Sequence, residues 1–324
     1  MPETTYLDAI RTAMLEEMER DERVFLIGED VGAYGGAFKT SAGLIERFGP
    51  ERVIDTPISE IAIVGAASGA ALMGMRPIAE MQFIDFITCA YDMLVNFTAT
   101  SRYRVGSPCP IVVRGPAGAG GHGGPFHSLS PEAIFMNRPG IKVVSPGTAY
   151  DAKGLLKSAI RDDDPVLYIE HKFLYRRIKE DLPADDFAVP IGKANVRRRG
   201  NDLTIITWGA MIYVAEEAAG ELAKDGVSVE IIDLRSIIPF DEEAILNSVA
   251  KTNRVIILHE APLTGGAGAE FAARIAEKAF DYLDAPIKRV ASLDVPTPYS
   301  PPLEAFYLPN KEKVLSAARE LLRY

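Results

Sequence analysis

Apolar residues recur at helical spacing near the start of the chain and then give way to short apolar runs. Leu7, Ile10 and Met14 form one stripe, which predicts an amphipathic helix over residues 5–20. Residues 24–27 are all apolar, as in a strand that is buried on both faces. Repeated alternation of such runs with helical stretches predicts an α/β fold with a mostly parallel sheet.

The alternation falls into two blocks. In the first block we expect strands at 78–83, 110–113, 141–145 and 166–170, and helices at 57–75, 86–103 and 150–160. In the second block we expect strands at 203–207, 227–233, 255–258 and 287–290, and helices at 212–224, 241–250, 269–283 and 311–322. A charged stretch, 175–201, interrupts the rhythm. We therefore predict two domains, 1–185 and 203–324, joined by a linker at 186–202.

Length and charge narrow the class of protein. A chain of 324 residues suits two domains, at roughly 100–200 residues each. The net charge of -10 argues against a nucleic-acid partner, which would favour a basic surface. The apolar stretch 61–75 is too short for a membrane span, which needs about 20 residues. With no signal peptide at the start, we expect a cytoplasmic protein that binds neither nucleic acid nor membrane.

A glycine cluster at 118–123 matches G-x-G-x-x-G. The dinucleotide fingerprint should open a helix directly after a strand, with an acidic residue about 20 positions further on. Here residues 124–127 intervene, and the next strand ends without an acidic residue. A loop whose backbone can be approached closely is favoured over a nicotinamide site.

His127 follows this loop and precedes a predicted helix. One interpretation is a loop histidine that makes surface hydrogen bonds. The other is a general acid or base, because histidine titrates near neutral pH and a glycine loop admits substrate. Both interpretations stay open on the residues alone.

Glu60 heads a helix of very small residues that includes Gly65-x-x-x-Gly69. A carboxylate in a first helical turn can simply offset the helix dipole. Alternatively, the small residues admit another subunit closely, which would desolvate Glu60 partly and raise its proton affinity.

Several ordered segments together resemble the beta subunit of thiamine-diphosphate-dependent 2-oxo acid dehydrogenase components. The resemblance extends over essentially the whole chain. Its segments are 28–32, 55–60, 76–83, 127–133, 150–156 and 233–235. It implies a pyrimidine-type domain with a parallel sheet, followed by a transketolase C-terminal-like α/β domain that serves subunit assembly.

The resemblance also implies a site. Glu60 would hydrogen-bond N1′ of the cofactor's aminopyrimidine, where proton exchange activates the cofactor. Phe86 would pack on the pyrimidine ring, and Glu29 would lie behind Glu60. His127 would assist the reaction and the transfer of the product to a lipoyl group. The implied activity is decarboxylation of a 2-oxo acid with reductive acylation of that lipoyl group.

An absent motif points to a partner. Related enzymes hold diphosphate and magnesium through Gly-Asp-Gly with a later Asn, and this chain has no Gly-Asp-Gly. The resemblance therefore implies an alpha subunit that holds magnesium and shares thiamine diphosphate, in an alpha2beta2 heterotetramer that docks on a lipoyl acyltransferase core. A single-chain transketolase or deoxyxylulose-phosphate synthase would need the motif.

The resemblance further implies a structural potassium ion bound by main-chain carbonyls. The matching positions are Ile111, Ala159, Ile160, Asp162 and Asp164. Residues 128–133 favour branched-chain 2-oxo acids, with pyruvate or acetoin dehydrogenase as the alternative. Two alternative functions of a different class are a nicotinamide-dependent oxidoreductase and a noncatalytic scaffold.

Overall fold

The computed structural model describes residues 3–324, which form two compact units. The first comprises the described residues up to Ala117 together with Ile134–Ile191, and the second comprises Gly118–Ala133 with Gly192–Tyr324. The predicted linker, 186–202, spans the point at which the first unit ends. The segment 118–133, which carries His127, groups with the second unit, although the predicted first domain includes it.

The first unit is built on parallel strands. In chain order they are β1 (Val24–Glu29), β2 (Val53–Thr56), β3 (Arg76–Glu80), β4 (Val112–Ala117), β5 (Lys142–Val144) and β6 (Val166–His171). Across the sheet they follow the order β5-β6-β4-β3-β1-β2, with every pairing parallel. All residues of β1, β4 and β6 are buried, which explains their nearly continuous apolar sequences.

Helices of the chain up to Ile191 are α1 (Tyr6–Arg20), α2 (Leu44–Phe48), α3 (Glu60–Leu72), α4 (Ser101–Val105), α5 (Glu132–Met136) and α6 (Ala149–Arg161). The first predicted helix is confirmed, and the Thr5 side chain caps it by accepting a hydrogen bond from the Asp8 amide. A short antiparallel pair joins Thr4–Thr5 to Lys179–Glu180. Within residues 3–324, no helix has both the length and the apolar character that a membrane crossing requires.

The prediction of one continuous helix over 86–103 is wrong. Residues Ile84–Ala90 form a 3-10 helix, Met93–Thr98 form a π-helix, and only then does α4 begin. The Thr98 hydroxyl donates to the Met93 carbonyl at 2.9 Å, and the Thr100 hydroxyl donates to the Asn96 carbonyl at 2.7 Å. Such side-chain bonds to nearby backbone compete with the regular α-helical pattern.

The second unit carries a smaller sheet. Its strands are β7 (Asn195–Arg198), β8 (Leu203–Thr207), β9 (Val229–Asp233), β10 (Val255–Pro262) and β11 (Lys288–Ser292), and a further strand covers Ser236–Ile238. The order across the sheet is β11-β10-β8-β9-β7, and only the β9–β7 pair is antiparallel. No strand was predicted within the charged stretch 175–201, but β7 lies inside it. Edge strands can be polar because one side faces solvent.

Helices of the second unit are α7 (Met211–Lys224), α8 (Glu242–Thr252), α9 (Gly268–Lys278), α10 (Pro301–Tyr307) and α11 (Lys311–Leu321). The predicted helix 269–283 ends earlier, at Lys278, and a 3-10 turn at Phe280–Tyr282 follows. Helix α10 was not predicted, because it is short and begins with consecutive prolines.

Candidate active site

Two predicted site residues lie at the carboxyl edge of the first sheet. β1 ends at Glu29 and β2 ends at Thr56, and these two residues are partners in the strand register. Glu60, a few residues after Thr56, begins α3. The carboxyl edge is where open parallel sheets bind ligands. Glu29 and Glu60 are therefore placed where such a sheet presents functional groups.

The loop after β1 is held by a carboxylate at the same edge. The Gly32 and Ala33 amides donate to Asp55 Oδ1 and Oδ2 at 2.6 and 3.2 Å. A Cβ atom at residue 32 would lie 2.5 Å from Asp55 Oδ2, so this approach requires glycine. The loop that follows Glu29 is thus joined directly to the strand that leads to Glu60.

The Glu29 side chain is buried, with a relative exposure of 6%. Burial raises the pKa of its carboxyl, and the negative charge of Glu60 raises this pKa further. A hydrogen bond from the Ser59 amide acts in the opposite direction. The net upward shift makes Glu29 a carboxyl that retains its proton to higher pH than usual.

Phe86 belongs to the 3-10 helix Ile84–Ala90, which packs against α3. Its ring stands edge-on to Phe83, with 6.4 Å between centroids, and Phe83 in turn meets Phe38 edge-on at 5.4 Å. Phe86 is half-buried. An aromatic cluster with one partly open ring can take a flat ligand.

A buried ionic cluster at the sheet was not predicted. The Arg114 guanidinium, which is fully buried, lies between the carboxylates of Glu80 and Glu170. The Tyr175 hydroxyl donates to Glu170 Oε2 at 2.5 Å. Burial raises the pKa of Glu80, while Arg114 opposes that change. In the sequence, the one sign of this cluster is that each of the strands β3, β4 and β6 carries a charged residue among apolar ones.

His127 follows a 3-10 turn, Gly124–Phe126, in the second unit. Its Nδ1 atom contacts the Phe126 carbonyl oxygen, and its ring is half-buried. The next residues along the chain, Ser128 and Leu129, line a cavity of about 210 Å³. His127 is therefore adjacent in sequence to a cavity that residues of the second unit line.

The comparisons with known proteins agree along the chain. Residues 3–177 match the family model described as transketolase, pyrimidine binding domain, and residues 192–314 match transketolase, C-terminal domain. The chain is 53% identical to the 2-oxoisovalerate dehydrogenase subunit beta of Bacillus subtilis (strain 168), covering 99% of each protein. The chain belongs to the family of 2-oxo acid dehydrogenase beta subunits.

Other relatives support this membership. The chain is 49% identical to the mitochondrial 2-oxoisovalerate dehydrogenase subunit beta 2 of Arabidopsis thaliana, covering 98% of this chain and 88% of that protein. It is 44% identical to the pyruvate dehydrogenase E1 component subunit beta of Staphylococcus aureus (strain COL), with full coverage of both (100%). These values confirm the predicted family.

The fold comparison agrees. A solved structure titled split gene transketolase, inactive beta4 tetramer, superposes with a TM-score of 0.81 at 23% identity, covering 99% of this chain and 98% of that one. This likeness confirms the predicted transketolase-like fold. As a 2-oxo acid dehydrogenase beta subunit, the chain is part of a thiamine-diphosphate-dependent enzyme that includes an alpha subunit.

Two buried oxygen atoms test whether this beta subunit fits its family's cofactor. Within residues 3–324, Glu29 Oε1 and Thr56 Oγ1 have no hydrogen-bond partner. Buried polar atoms are normally paired, so these atoms suit a ligand that brings its own hydrogen-bonding groups. They lie at paired positions of the carboxyl edge. The edge therefore fits the aminopyrimidine half of thiamine diphosphate.

Three of the five predicted potassium carbonyls, those of Ile111, Ile160 and Asp162, already accept hydrogen bonds in this beta subunit. Arg76 Nη1 donates to the Ile160 and Asp162 carbonyls at 3.1 and 2.9 Å. The Ile111 carbonyl accepts from the Val166 amide at 3.0 Å. Each carbonyl oxygen has two lone pairs, so oxygen capacity remains for a hard monovalent cation. Such an ion would share its oxygens with a guanidinium.

Proposed function

We propose that this chain is the catalytic beta subunit of a branched-chain 2-oxo acid dehydrogenase component. It would act with its alpha subunit in oxidative decarboxylation of the 2-oxo acid and reductive acylation of a lipoyl group. The observation that carries the proposal is the carboxyl edge at Glu29 and Glu60, where one buried carboxyl has a raised pKa and an oxygen without a partner.

Glu60 is the proposed proton-exchanging residue. Its carboxyl group would hydrogen-bond N1′ of the aminopyrimidine and hold a proton there. Glu29, whose pKa is raised by burial and by the charge of Glu60, would lie beside it at the same edge. Phe86, which is half-buried, would orient the pyrimidine ring by packing against it.

When bound, thiamine diphosphate would supply a nucleophilic thiazolium carbon and an electron sink for the loss of CO2. The diphosphate and magnesium would be held by the alpha subunit, since the chain has no Gly-Asp-Gly motif. We further propose an alpha2beta2 heterotetramer that docks on a lipoyl acyltransferase core. The cytoplasmic location and the structural potassium ion remain predictions within this proposal.

His127 is the proposed acid-base residue for the later step. A histidine beside an open glycine loop can give or take a proton near neutral pH. Ser128 and Leu129, the next residues along the chain, line a cavity of about 210 Å³. We assign His127 to transfer of the acyl group to the lipoyl sulfur.

The substrate assignment rests on two different relatives. The Bacillus subtilis protein named for 2-oxoisovalerate shares 53% identity, and the Staphylococcus aureus protein named for pyruvate shares 44%. Residues 128–133 likewise favoured a branched-chain 2-oxo acid over pyruvate in the sequence. We therefore propose a branched-chain 2-oxo acid, with pyruvate as the alternative.

The test is reconstitution. The chain is co-expressed with the alpha subunit from its own organism, and the purified assembly receives thiamine diphosphate, magnesium and an artificial electron acceptor. We expect decarboxylation that requires both chains and is faster with 2-oxoisovalerate than with pyruvate. Higher kcat/KM with pyruvate would establish the alternative substrate. A chain that purifies alone and supports no decarboxylation with any alpha subunit would contradict the proposal.

A further inference from the structure

The glycine-rich loop before His127 is held by two buried carboxylates of the second unit. The Ala119 amide donates to Glu260 Oε1 at 2.6 Å. The Gly120 and His122 amides both donate to Glu304 Oε1, at 3.1 and 3.2 Å. These side chains come from β10 and α10, which are far from the loop in sequence. The loop conformation therefore depends on tertiary contacts as well as on its own glycines.

Glu304 also contacts the side chain of His122. Its Oε2 atom lies 2.7 Å from His122 Nδ1, and the residue is only 2% exposed. His122 adopts a left-handed backbone conformation with φ 60°, which is costly for a residue with a side chain. Hydrogen bonds to an ionised carboxylate are roughly twice as strong as neutral ones. Glu304 thus stabilises a conformation that the loop would not favour by itself.

The residues that follow His127 are also held by a contact within the second unit. The Trp208 Nε1 atom donates to Glu132 Oε1 at 3.1 Å. The Trp208 ring stacks on His259, with 5.5 Å between centroids and 7° between planes. Between the two attachments, Gly124 lies so near the Tyr299 ring that a Cβ atom would be 2.2 Å from it. The segments before and after His127 are therefore both held by contacts within the second unit.

We propose that Glu304 is a positioning residue that sets the location of His127 through the loop 118–124. The inference rests on the catalytic role proposed above for His127. Glu304 is not itself assigned contact with substrate. Its removal would free the Gly120 and His122 amides together, and a shift of about 1 Å at a reacting group can cost about 100-fold in rate.

The first experiment uses the assembled enzyme with Glu304→Ala, Glu304→Gln and His122→Ala. We expect Glu304→Ala to lower kcat for lipoyl acylation by about 10- to 100-fold, with KM for the 2-oxo acid changed less than about 3-fold. Glu304→Gln keeps one acceptor oxygen, and His122→Ala keeps the backbone contacts, so both should lose less. The matched control is Glu312→Ala, an exposed glutamate whose side chain is 72% accessible.

Amide hydrogen exchange of the same assemblies reports the loop directly. We expect faster exchange at Gly120 and His122 in Glu304→Ala, with no change in β8 or β10. Unchanged exchange at these two amides would overturn the proposal. So would faster exchange across the whole second unit, since it would indicate general loss of structure.

A double-mutant cycle separates this inference from the proposed function. If Glu304 acts through His127, then adding Glu304→Ala to His127→Ala should cause little further loss of kcat. Fully additive losses would overturn the positioning role while leaving the role of His127 intact. Full activity of His127→Ala would instead refute the proposed role of His127 and, with it, this inference.

Discussion

Glu29 shares the carboxyl edge of the first sheet with Glu60, and the charge of Glu60 adds to burial in raising the pKa of Glu29. The negative charge of Glu60 repels an ionised Glu29 and so disfavours its ionisation. A folded protein tolerates such a pair when function requires it, since active sites are where perturbed pKa values concentrate.

The first prediction concerns stability against pH at Glu29. Its pKa in the folded chain is raised above the ordinary 4.5, so ionised Glu29 destabilises the fold at pH values above this shifted range. Glu29→Gln should therefore be more stable than the wild type at pH 7. The difference should shrink as pH falls towards 4.5 and vanish below it. Thermal unfolding between pH 4 and 8 measures this, with Glu312→Gln as an exposed control.

The second prediction concerns Arg114, which lies buried between Glu80 and Glu170. Arg114→Met would leave two uncompensated carboxyl groups in the interior and should cost about 3–5 kcal/mol in unfolding free energy. Adding Glu80→Gln and Glu170→Gln should recover much of the loss. The exposed pair of Arg47 and Glu19, at 2.9 Å, supplies the control, since Arg47→Met should cost less than about 1 kcal/mol. Equal costs for the two arginines would refute this account.

The third prediction concerns His259, which is fully buried against Trp208. Burial lowers the pKa of its imidazole from 6.5 to about 4, and the positive charge of Arg289 adds to this shift. Because the folded pKa lies below the unfolded one, its contribution to stability is complete above pH 6.5 and is lost as pH falls towards 4. An NMR titration of its ring protons should show no protonation above about pH 5. A midpoint near 6.5 would be inconsistent with the described burial.

The fourth prediction compares two glycines. Gly32→Ala would bring a Cβ atom within 2.5 Å of Asp55 Oδ2 and should destabilise the chain by about 1–3 kcal/mol. Gly220, inside α7, has open space at its Cβ position, so Gly220→Ala should stabilise by roughly 0.5–1 kcal/mol. Denaturant unfolding of both variants checks the pair. If both changes destabilised equally, the close approach at Asp55 would not be the cause.

The sequence predicted the elements whose apolar pattern is long and regular. α1 and α7 fall within one residue of their expected bounds, and β8 has the expected bounds, because burial imposes a clear period on each. The segment 84–105 was missed, since hydroxyl bonds to nearby carbonyls change the helix type without changing the apolar pattern. Strand β7 was missed because a polar edge strand resembles a loop.

The candidate site was predictable only in part. Glu29, Glu60 and Phe86 could be named from the family resemblance. The strand register pairs Glu29 with Thr56, and Glu60 follows Thr56 at the start of α3. Glu304 carries no local signal, because its importance comes from amides in a loop far away in sequence. Arg114 is similar, since a single charge in an apolar strand does not reveal its two partners.

The most direct test of the central claim is the rate of 2-oxo acid decarboxylation by the assembled alpha and beta subunits carrying Glu60→Gln. General acid-base groups contribute about 100- to 10,000-fold, so we predict a loss of at least about 100-fold with the assembly and thiamine diphosphate binding retained. Wild-type decarboxylation by an intact Glu60→Gln assembly would contradict the claim that this chain activates the cofactor.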